Sequence, residues 1–256
     1  MLAGLLFLSF FAIALAGVPL LFALLATTVG AVIIAGLGHP LESIFLSFIG
    51  GVEPYILIAV PLFIFAGEIL ASGGVGRRIV DFARALLGFL PGGLGVVTVA
   101  SCLMFGGVSG SAIADTAAIG SLVIPAMIQR GYSRGFAAAL LAVAGTLALL
   151  MPLSIPFLVY AFISGVSMRQ LSMAGIVPGM VMALALIGVC VWYGRKSGCD
   201  NGEARSSLRQ IWRATADAGP ALAMPLIIVG GIWSGVFTPT EAAAVAVVYG
   251  VAVSLF

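Results

Sequence analysis

The sequence predicts an all-α polytopic membrane protein that contains a re-entrant helical hairpin and a discontinuous helix. Hydrophobic residues make up 62% of the chain and charged residues only 8%, whereas soluble domains average about 25% charged residues. Glycine, serine and proline interrupt the apolar runs at two places, residues 106–111 and 151–156. The net charge of +2 is too small to suggest nucleic-acid binding.

The three cysteines, Cys102, Cys190 and Cys199, have neither metal-binding nor redox spacing. An odd number also argues against a disulfide framework. We expect the first two to be buried as small apolar side chains.

The first apolar run extends from Leu2 to Gly36 and contains Pro19. A membrane span needs about 20 apolar residues, so the run exceeds one straight span and falls short of two. We expect one long helix, tilted or kinked. No basic segment precedes it, which favours a span over a cleaved signal peptide.

Residues 39–54 form a polar interruption, and the apolar run of residues 55–71 ends at a Ser-Gly-Gly stop. We assign residues 1–73 to scaffold transmembrane helices. Glu68, near the end of this part, has two interpretations: an intramembrane acid with a partner, or a headgroup-level acid paired with Arg77 or Arg78.

Residues 75–90 differ from the runs around them, because apolar residues recur at helical spacing while Arg77, Arg78, Asp81 and Arg84 share the polar side. A basic amphipathic helix of this kind lies in the membrane interface. We assign residues 74–93 to such an interfacial arm helix.

Residues 94–193 are assigned to a transport-type segment of three parts. The first is a hairpin over residues 94–128, with a glycine- and serine-rich tip and an apolar return that stops at Pro125. The second is a broken helix over 136–166, interrupted by two prolines that remove backbone donors. A short loop marked by Arg169 precedes the third part, a plain span over 174–193.

Residues 194–218 are the only long polar stretch, predicted to be a cytoplasmic connector made of a loop and a surface helix. Residues 219–256 are predicted to hold two further spans, the incomplete start of a second half. The second of these begins at Thr238-Pro239-Thr240-Glu241, where a threonine can cap the helix and Glu241 lies in the first turn.

The basic residues support the hairpin. Ten of the eleven fall in three clusters, Arg77–Arg84, Arg130–Arg134 and Arg195–Arg213. If all three face the cytoplasm, the chain must leave and return between the first two. Two full spans would need about 40 apolar residues, so a re-entrant hairpin fits this interval better.

A hairpin tip and a broken helix both present free helix ends. Free amides at a helix N-terminus favour anions, and free carbonyls at a C-terminus favour cations. Secondary transporters use such ends near the membrane midplane. The alternative is that the small residues only allow close helix packing. The oxygen-bearing candidates are Ser109, Gly110, Ser111 and Ala112 of the tip, and Gly145, Thr146, Ala148, Met151 and Ser154 of the break.

Asp115 has two interpretations of its own: it counters a coupling cation or binds a proton, or it caps the second half-helix. A hydrolase is a separate alternative, because Gly107-Val108-Ser109-Gly110 has the G-x-S-G form of rhomboid-type intramembrane proteases. Such a nucleophile needs a base, and the single histidine, His39, lies far upstream. We therefore do not expect an enzyme.

Four segments carry a family resemblance: SGSAIADTAAIGSLVIPAMIQRGYSRGFAAAL from residue 109, AGTLALLMPLSIPFLVYAFISGVS from 144, LSMAGIVPG from 171 and GVFTPTEAAAVAVVYG from 235. With them the chain resembles the large membrane subunit of tripartite ATP-independent periplasmic (TRAP) transporters. The resemblance implies one half of an inverted-repeat elevator transporter in the bacterial inner membrane. It implies Na⁺ as the coupling ion, no other cofactor, and an organic acid such as a C4-dicarboxylate or sialic acid as substrate.

The resemblance also implies two protein partners, a small membrane (Q-type) subunit and a periplasmic substrate-binding protein. Carried over to this chain, the sodium site comprises Ser109, Ser111, Ala112, Gly145, Ala148, Met151 and Leu153. We assign Gly110, Asp115, Thr116 and Ser154 to substrate binding. The family pattern has glycine where this chain has Ala148 and proline where it has Leu153.

The family's large subunit has a second, inverted half with its own hairpin. We therefore expect this chain to be a truncated form that does not transport alone. The alternative is a membrane anchor or assembly piece without a site of its own.

Overall fold

The computed structural model describes residues 2–35 and 41–255, and every regular element in these ranges is helical. The helices are α1 (Leu2–Leu15), α2 (Leu20–Ala35), α3 (Leu41–Val52), α4 (Ala59–Ser72), α5 (Val75–Leu87), α6 (Gly93–Ser109), α7 (Ala112–Gln129), α8 (Arg134–Gly145), α9 (Ile155–Ser164), α10 (Met168–Ser197), α11 (Leu208–Ser234) and α12 (Pro239–Leu255). Two 3-10 segments, Tyr55–Ile58 and Thr146–Leu150, complete the set.

Several of these helices are long and apolar enough to cross a membrane. Within the described residues four qualify by length and composition, and the bent pair Arg134–Leu150 plus Ile155–Ser164 makes a fifth. The prediction of an all-α polytopic membrane protein is confirmed.

The chain divides into two compact units, Met1–Pro54 and Tyr55–Phe256. In the first unit α1 and α2 pack against each other, so the prediction of one long helix over residues 2–36 is wrong. The chain breaks between them because Gly17 adopts φ +86° and Pro19 lacks an amide hydrogen. Helix α3 occupies most of the predicted polar interruption, and His39 lies outside the described residues.

The second unit contains the predicted amphipathic helix, α5. Val75, Ile79 and Ala83 are fully buried, while Asp81 and Arg84 are exposed on the other side. Glu68, near the end of α4, is exposed. It forms no ion pair with any residue of the described ranges, so neither interpretation of this acid finds a partner.

Helices α6 and α7 form the predicted helical hairpin. They run antiparallel, since Thr98 early in α6 contacts Met127 late in α7 at 3.7 Å between Oγ1 and Sδ. The turn is tight because Gly110 adopts φ +60°, a conformation that favours glycine. The second arm does not stop at Pro125, because α7 continues through it to Gln129. That the hairpin is re-entrant, so that the chain returns to the side of the membrane from which it entered, stays a prediction.

The discontinuous helix is also present. Helix α8 tightens into the 3-10 segment Thr146–Leu150, and the chain bends by 40° before α9 begins. The Ser154 hydroxyl caps α9 by accepting from the Phe157 amide at 3.3 Å. Pro156 lies in the first turn of α9, where its missing amide would be unsatisfied in any case. Ser172 of α10 donates to the Pro152 carbonyl at 2.9 Å and so holds the break from outside.

In the C-terminal part of the chain, two predicted boundaries are corrected and a third is confirmed. Arg169 does not mark a loop but lies in the first turn of α10. The predicted surface helix and the span after it are one continuous helix, α11, because Pro220 and Pro225 are accommodated inside it. The helix start at Thr238 is as predicted: its amide donates to Glu241 Oε2 at 2.8 Å, and its hydroxyl accepts from the Glu241 amide at 3.3 Å.

Candidate functional site

The hairpin tip contacts the helix break directly. The Gly110 carbonyl accepts from the Ile155 amide at 3.4 Å. A Cβ atom on Gly110 would lie 3.1 Å from the Leu153 carbonyl carbon and 3.3 Å from Ser154 Cα. The turn therefore depends on glycine for space as well as for its backbone angle, and the two predicted broken elements form one junction.

Asp115 is the only charged residue at this junction in the described part of the chain. Its side chain is fully buried, and its Oδ1 accepts a hydrogen bond from the Ser109 hydroxyl. Its Oδ2 has no hydrogen-bond partner among the described residues. An ionised carboxylate without compensation is costly to bury, and a cation or a proton at this oxygen would offset that cost.

The free oxygen points to the place where three elements converge. A Cβ atom on Gly106 of α6 would lie 2.8 Å from Asp115 Oδ2 and 2.7 Å from Ala148 Cα in the 3-10 segment. Gly106 thus leaves space beside both residues. Ala148 faces this glycine, which accommodates its methyl group.

A second contact joins α7 to the end of α8. A Cβ atom on Gly145 would meet the Thr116 hydroxyl and would lie 3.3 Å from the Ala112 carbonyl. The same Ala112 carbonyl accepts from the Thr116 hydroxyl at 2.6 Å. Hydroxyl and carbonyl oxygens therefore line the hairpin side of the junction.

The structure narrows the capping interpretation of Asp115. The N-cap of α7 is Ser111, whose hydroxyl accepts from the Ala114 amide at 3.4 Å. Asp115 lies in the first turn of α7, as predicted, but it bonds Ser109 instead of a free helix amide. Its role toward a coupling cation or a proton stays a prediction. The Ser109 hydroxyl donates to this carboxylate, and His39 lies outside the described residues.

The predicted site residues lie along the hairpin and the break. Ala148 and Ser154 are fully buried, Ser109 and Leu153 nearly so, and Met151 is 8% exposed. Ser111, Ala112 and Thr116 are half-buried. The Met151 side chain is directed toward α10, because a Cβ atom on Gly179 would lie 2.8 Å from its Cε. Only the backbone of Met151 is therefore available to the junction.

Three residues of this region were not predicted from the sequence. Gly106 provides the space beside Asp115, and Ser172 fixes the break. Gly67 of α4 lies beside the tip, where a Cβ atom would make ordinary van der Waals contact at 3.5 Å from Ser109 Cα. The sequence signal for Gly106 is the glycine pair that it forms with Gly107. No local sequence pattern distinguishes Gly67 or Ser172 from ordinary packing residues.

The described residues contain no cluster of three or more His, Cys, Asp or Glu side chains that could hold a metal ion. A cation at the junction would instead use one carboxylate with hydroxyl and carbonyl oxygens, the donor type that hard cations prefer.

Comparison with known proteins agrees with these features. The family model for the tripartite ATP-independent periplasmic transporter, DctM component, matches residues 7–256. The chain is 44% identical to the C4-dicarboxylate TRAP transporter large permease protein DctM of Pseudomonas aeruginosa, over 80% of this chain and 48% of the relative. It is 40% identical to the ectoine TRAP transporter large permease protein TeaC of Halomonas elongata, over 84% of this chain and 50% of the relative.

A third relative is the isethionate TRAP transporter permease protein DctMQ of Oleidesulfovibrio alaskensis, 40% identical over 94% of this chain and 38% of the relative. The chain thus spans about half or less of the length of these relatives. All three are named as transporter permeases and not as enzymes. The matched family model and the shared sequence lead to one conclusion: this chain belongs to the DctM family of large permease components of TRAP transporters.

Proposed function

We propose that this chain forms the first half of a Na⁺-coupled, elevator-type permease that imports an organic acid across the bacterial inner membrane. The observation that carries the proposal is the buried Asp115 carboxylate, whose Oδ2 has no partner among the described residues and lies at the junction of hairpin and break. A sodium ion there would offset the cost of burying the charge.

Helix polarity supports a cation on this side of the junction. Helix α6 ends at Ser109, and the 3-10 segment after α8 ends at Leu150. Both therefore direct their free carbonyl ends toward the junction, and carbonyl ends favour cations. The proposed sodium ligands are oxygens of Ser109, Ser111, Ala112, Gly145, Ala148, Met151 and Leu153, with Asp115 as the balancing charge.

The opposite polarity supports an anionic substrate nearby. Helices α7 and α9 both begin at the junction, after Ser111 and Ser154, and the N-terminal ends of helices favour anions. We propose that Gly110, Thr116 and Ser154 contact the carboxylate of the organic acid. With sodium in place, Asp115 would not repel that anion.

The proposed partners rest on the family, which does not specify the substrate. The relatives are named for different substrates, a C4-dicarboxylate, ectoine and isethionate, so the family does not assign one to this chain. The proposed partners are a small membrane subunit and a periplasmic substrate-binding protein, in keeping with the tripartite family and with a relative named DctMQ.

The proposal is tested by thermal unfolding of the purified chain in detergent, in NaCl and in choline chloride at equal ionic strength. A ligand that binds only the folded state stabilises it by about 2.7 kcal/mol at one hundred times its Kd. We expect a sodium-specific rise in Tm that KCl does not reproduce. Equal Tm values in all three salts would contradict a formed sodium site in this chain.

A further inference from the structure

The opposite end of the hairpin is held by a segment from far along the sequence. Residues 199–205, here named the connector strap, follow α10 without regular secondary structure. They lie against the turn between α5 and α6: the Gly92 amide donates to the Asp200 carbonyl at 2.8 Å, and the Glu203 amide donates to the Gly88 carbonyl at 2.8 Å.

Asp200 is the centre of these contacts, and its side chain is only 1% exposed. Its Oδ2 accepts from the Leu94 amide at 2.9 Å and from the Tyr132 hydroxyl at 3.1 Å. Its Oδ1 accepts from the Gly202 amide at 3.2 Å and from Arg130 Nη1 at 3.4 Å. The carboxylate thus joins the start of α6 to the residues that follow α7, which are the two open ends of the hairpin.

The contact with Leu94 replaces a missing local cap. Helix α6 begins after Gly92, which has no side chain to accept from the first free amides. An N-cap side chain normally accepts from the second or third residue of the helix, and Leu94 is the second residue of α6. Asp200 provides this acceptor from a position 106 residues later.

Further contacts fix the rest of the strap. Arg84 Nε donates to Glu203 Oε1 at 2.8 Å, and the Arg205 guanidinium lies 5.0 Å from the centroid of the Phe89 ring. Burial raises the pKa of the Tyr132 hydroxyl, which keeps it a hydrogen-bond donor. Ser207 then starts α11 with its own capping box, so only Ser206 lies between the strap and the next helix.

We infer that Asp200 provides the capping side chain that Gly92 lacks at the start of hairpin helix α6, and that it makes the connector strap part of the same rigid body as the hairpin. Asp200 is a positioning residue in this proposal, which does not depend on sodium binding at the tip.

The chain contains a natural reporter for the strap. Cys199 is its first residue and is partly exposed, whereas Cys102 and Cys190 are fully buried. Labelling with a membrane-impermeant maleimide in detergent, analysed by mass spectrometry of the three cysteine peptides, therefore separates release of the strap from unfolding. Hydrogen exchange of the peptide that contains Leu94 reports the cap itself.

We expect Asp200→Ala to accelerate the labelling of Cys199, but not that of the other two cysteines. Amide hydrogen exchange at the start of α6 should also become faster. Each increase should be about tenfold, since loss of a cap has effects of this order. Asp200→Asn should restore slow exchange in part, because its amide oxygen can accept from Leu94 while its NH2 group cannot accept from Gly202 and Arg130. Asp217→Ala, which changes an exposed acid of α11, is the matched control. Labelling of all three cysteines in Asp200→Ala would mean that this variant unfolds. Tyr132→Phe then takes its place in the experiment, and we expect a smaller increase in the labelling rate, at Cys199 alone. Unchanged exchange at Leu94 in Asp200→Ala would overturn the proposal.

Discussion

The hairpin α6–α7 has a buried carboxylate at each end, and the two differ in how their oxygens are satisfied. At the base, both oxygens of Asp200 accept hydrogen bonds from other segments. At the tip, Asp115 accepts one hydrogen bond from Ser109, and its second oxygen has no partner within the described residues.

Under the proposed function, this difference separates a structural carboxylate from a binding one. A fully paired buried charge stabilises the geometry around it, and removing one partner is strongly destabilising. A buried charge with a free oxygen costs stability until a ligand completes it. We therefore expect the base of the hairpin to be fixed and the tip to respond to its ligand, and substitutions at the two ends should have different signatures.

The largest effect is expected at the tip in sodium. Asp115→Asn removes the charge that a cation would balance, so the sodium-specific stabilisation, about 2.7 kcal/mol at one hundred times the Kd, should disappear. In choline chloride its stability should equal or exceed that of the wild type, because an unbalanced charge has been removed. The measurement is Tm in the two salts. A sodium shift that survives the substitution would show that Asp115 is not part of the site.

Overpacking the same junction should cost about 2 kcal/mol of stability. Gly106→Ala places a methyl group 2.7 Å from Ala148 Cα and 2.8 Å from Asp115 Oδ2. The neighbouring Gly107→Ala is the control, because its nearest contact would be Pro225 Cβ at 3.9 Å and alanine favours helix by about 1 kcal/mol. Thermal unfolding of both variants would reveal the contrast, and equal stabilities would mean that the junction is not closely packed.

At the base, removing one hydrogen bond to the buried Asp200 carboxylate should cost about 1.5 kcal/mol whether or not sodium is present. Tyr132→Phe takes away one donor to Asp200 and keeps the ring that stacks on Phe136 and Tyr193. Tyr160→Phe, on an exposed side chain, is the control. A loss seen only in sodium would link the base to the cation site and so contradict the division between the two ends.

The smallest effect is expected at the exposed ion pair of the strap. The hydrogen bond from Arg84 lowers the pKa of Glu203 below 4.5, with Arg130 adding to the effect. The stabilisation is therefore fully present above pH 4.5 and is lost as the pH falls through the lower pKa of the folded state. Because the pair is partly exposed, we expect about 0.5 kcal/mol.

Comparing Tm near neutral pH with Tm near pH 4 for the wild type and Glu203→Gln would measure this loss. Asp200, Arg84 and Arg130 are the charged groups around Glu203. The two arginines stay charged over this pH range. The control variant is Glu68→Gln, on the exposed face of α4, which shows how much the loss of any exposed acid changes the Tm at low pH. An acid-dependent loss as large in Glu203→Gln as in the wild type would assign it to another group.

Some elements could be predicted from the sequence because their causes are local. The spacing of Arg77, Asp81 and Arg84 defines the polar face of α5, and Thr238 and Glu241 cap α12 within four residues. Other elements were predicted wrongly, because a local signal was weak or was overridden by the rest of the fold. Gly17 and Pro19 divide the first apolar run, while Pro220 and Pro225 fail to interrupt α11.

The sequence by itself determined the membrane class, the family, the hairpin and the break, since these follow from composition, glycine and proline positions and a long shared pattern. Only the tertiary structure decided which acids are satisfied. The partners of Asp200 lie as far as 106 residues away, and the free oxygen of Asp115 is defined by the packing of Gly106 against Ala148. A side chain's hydrogen-bond partners depend on which segments meet around it, and that information lies in the fold.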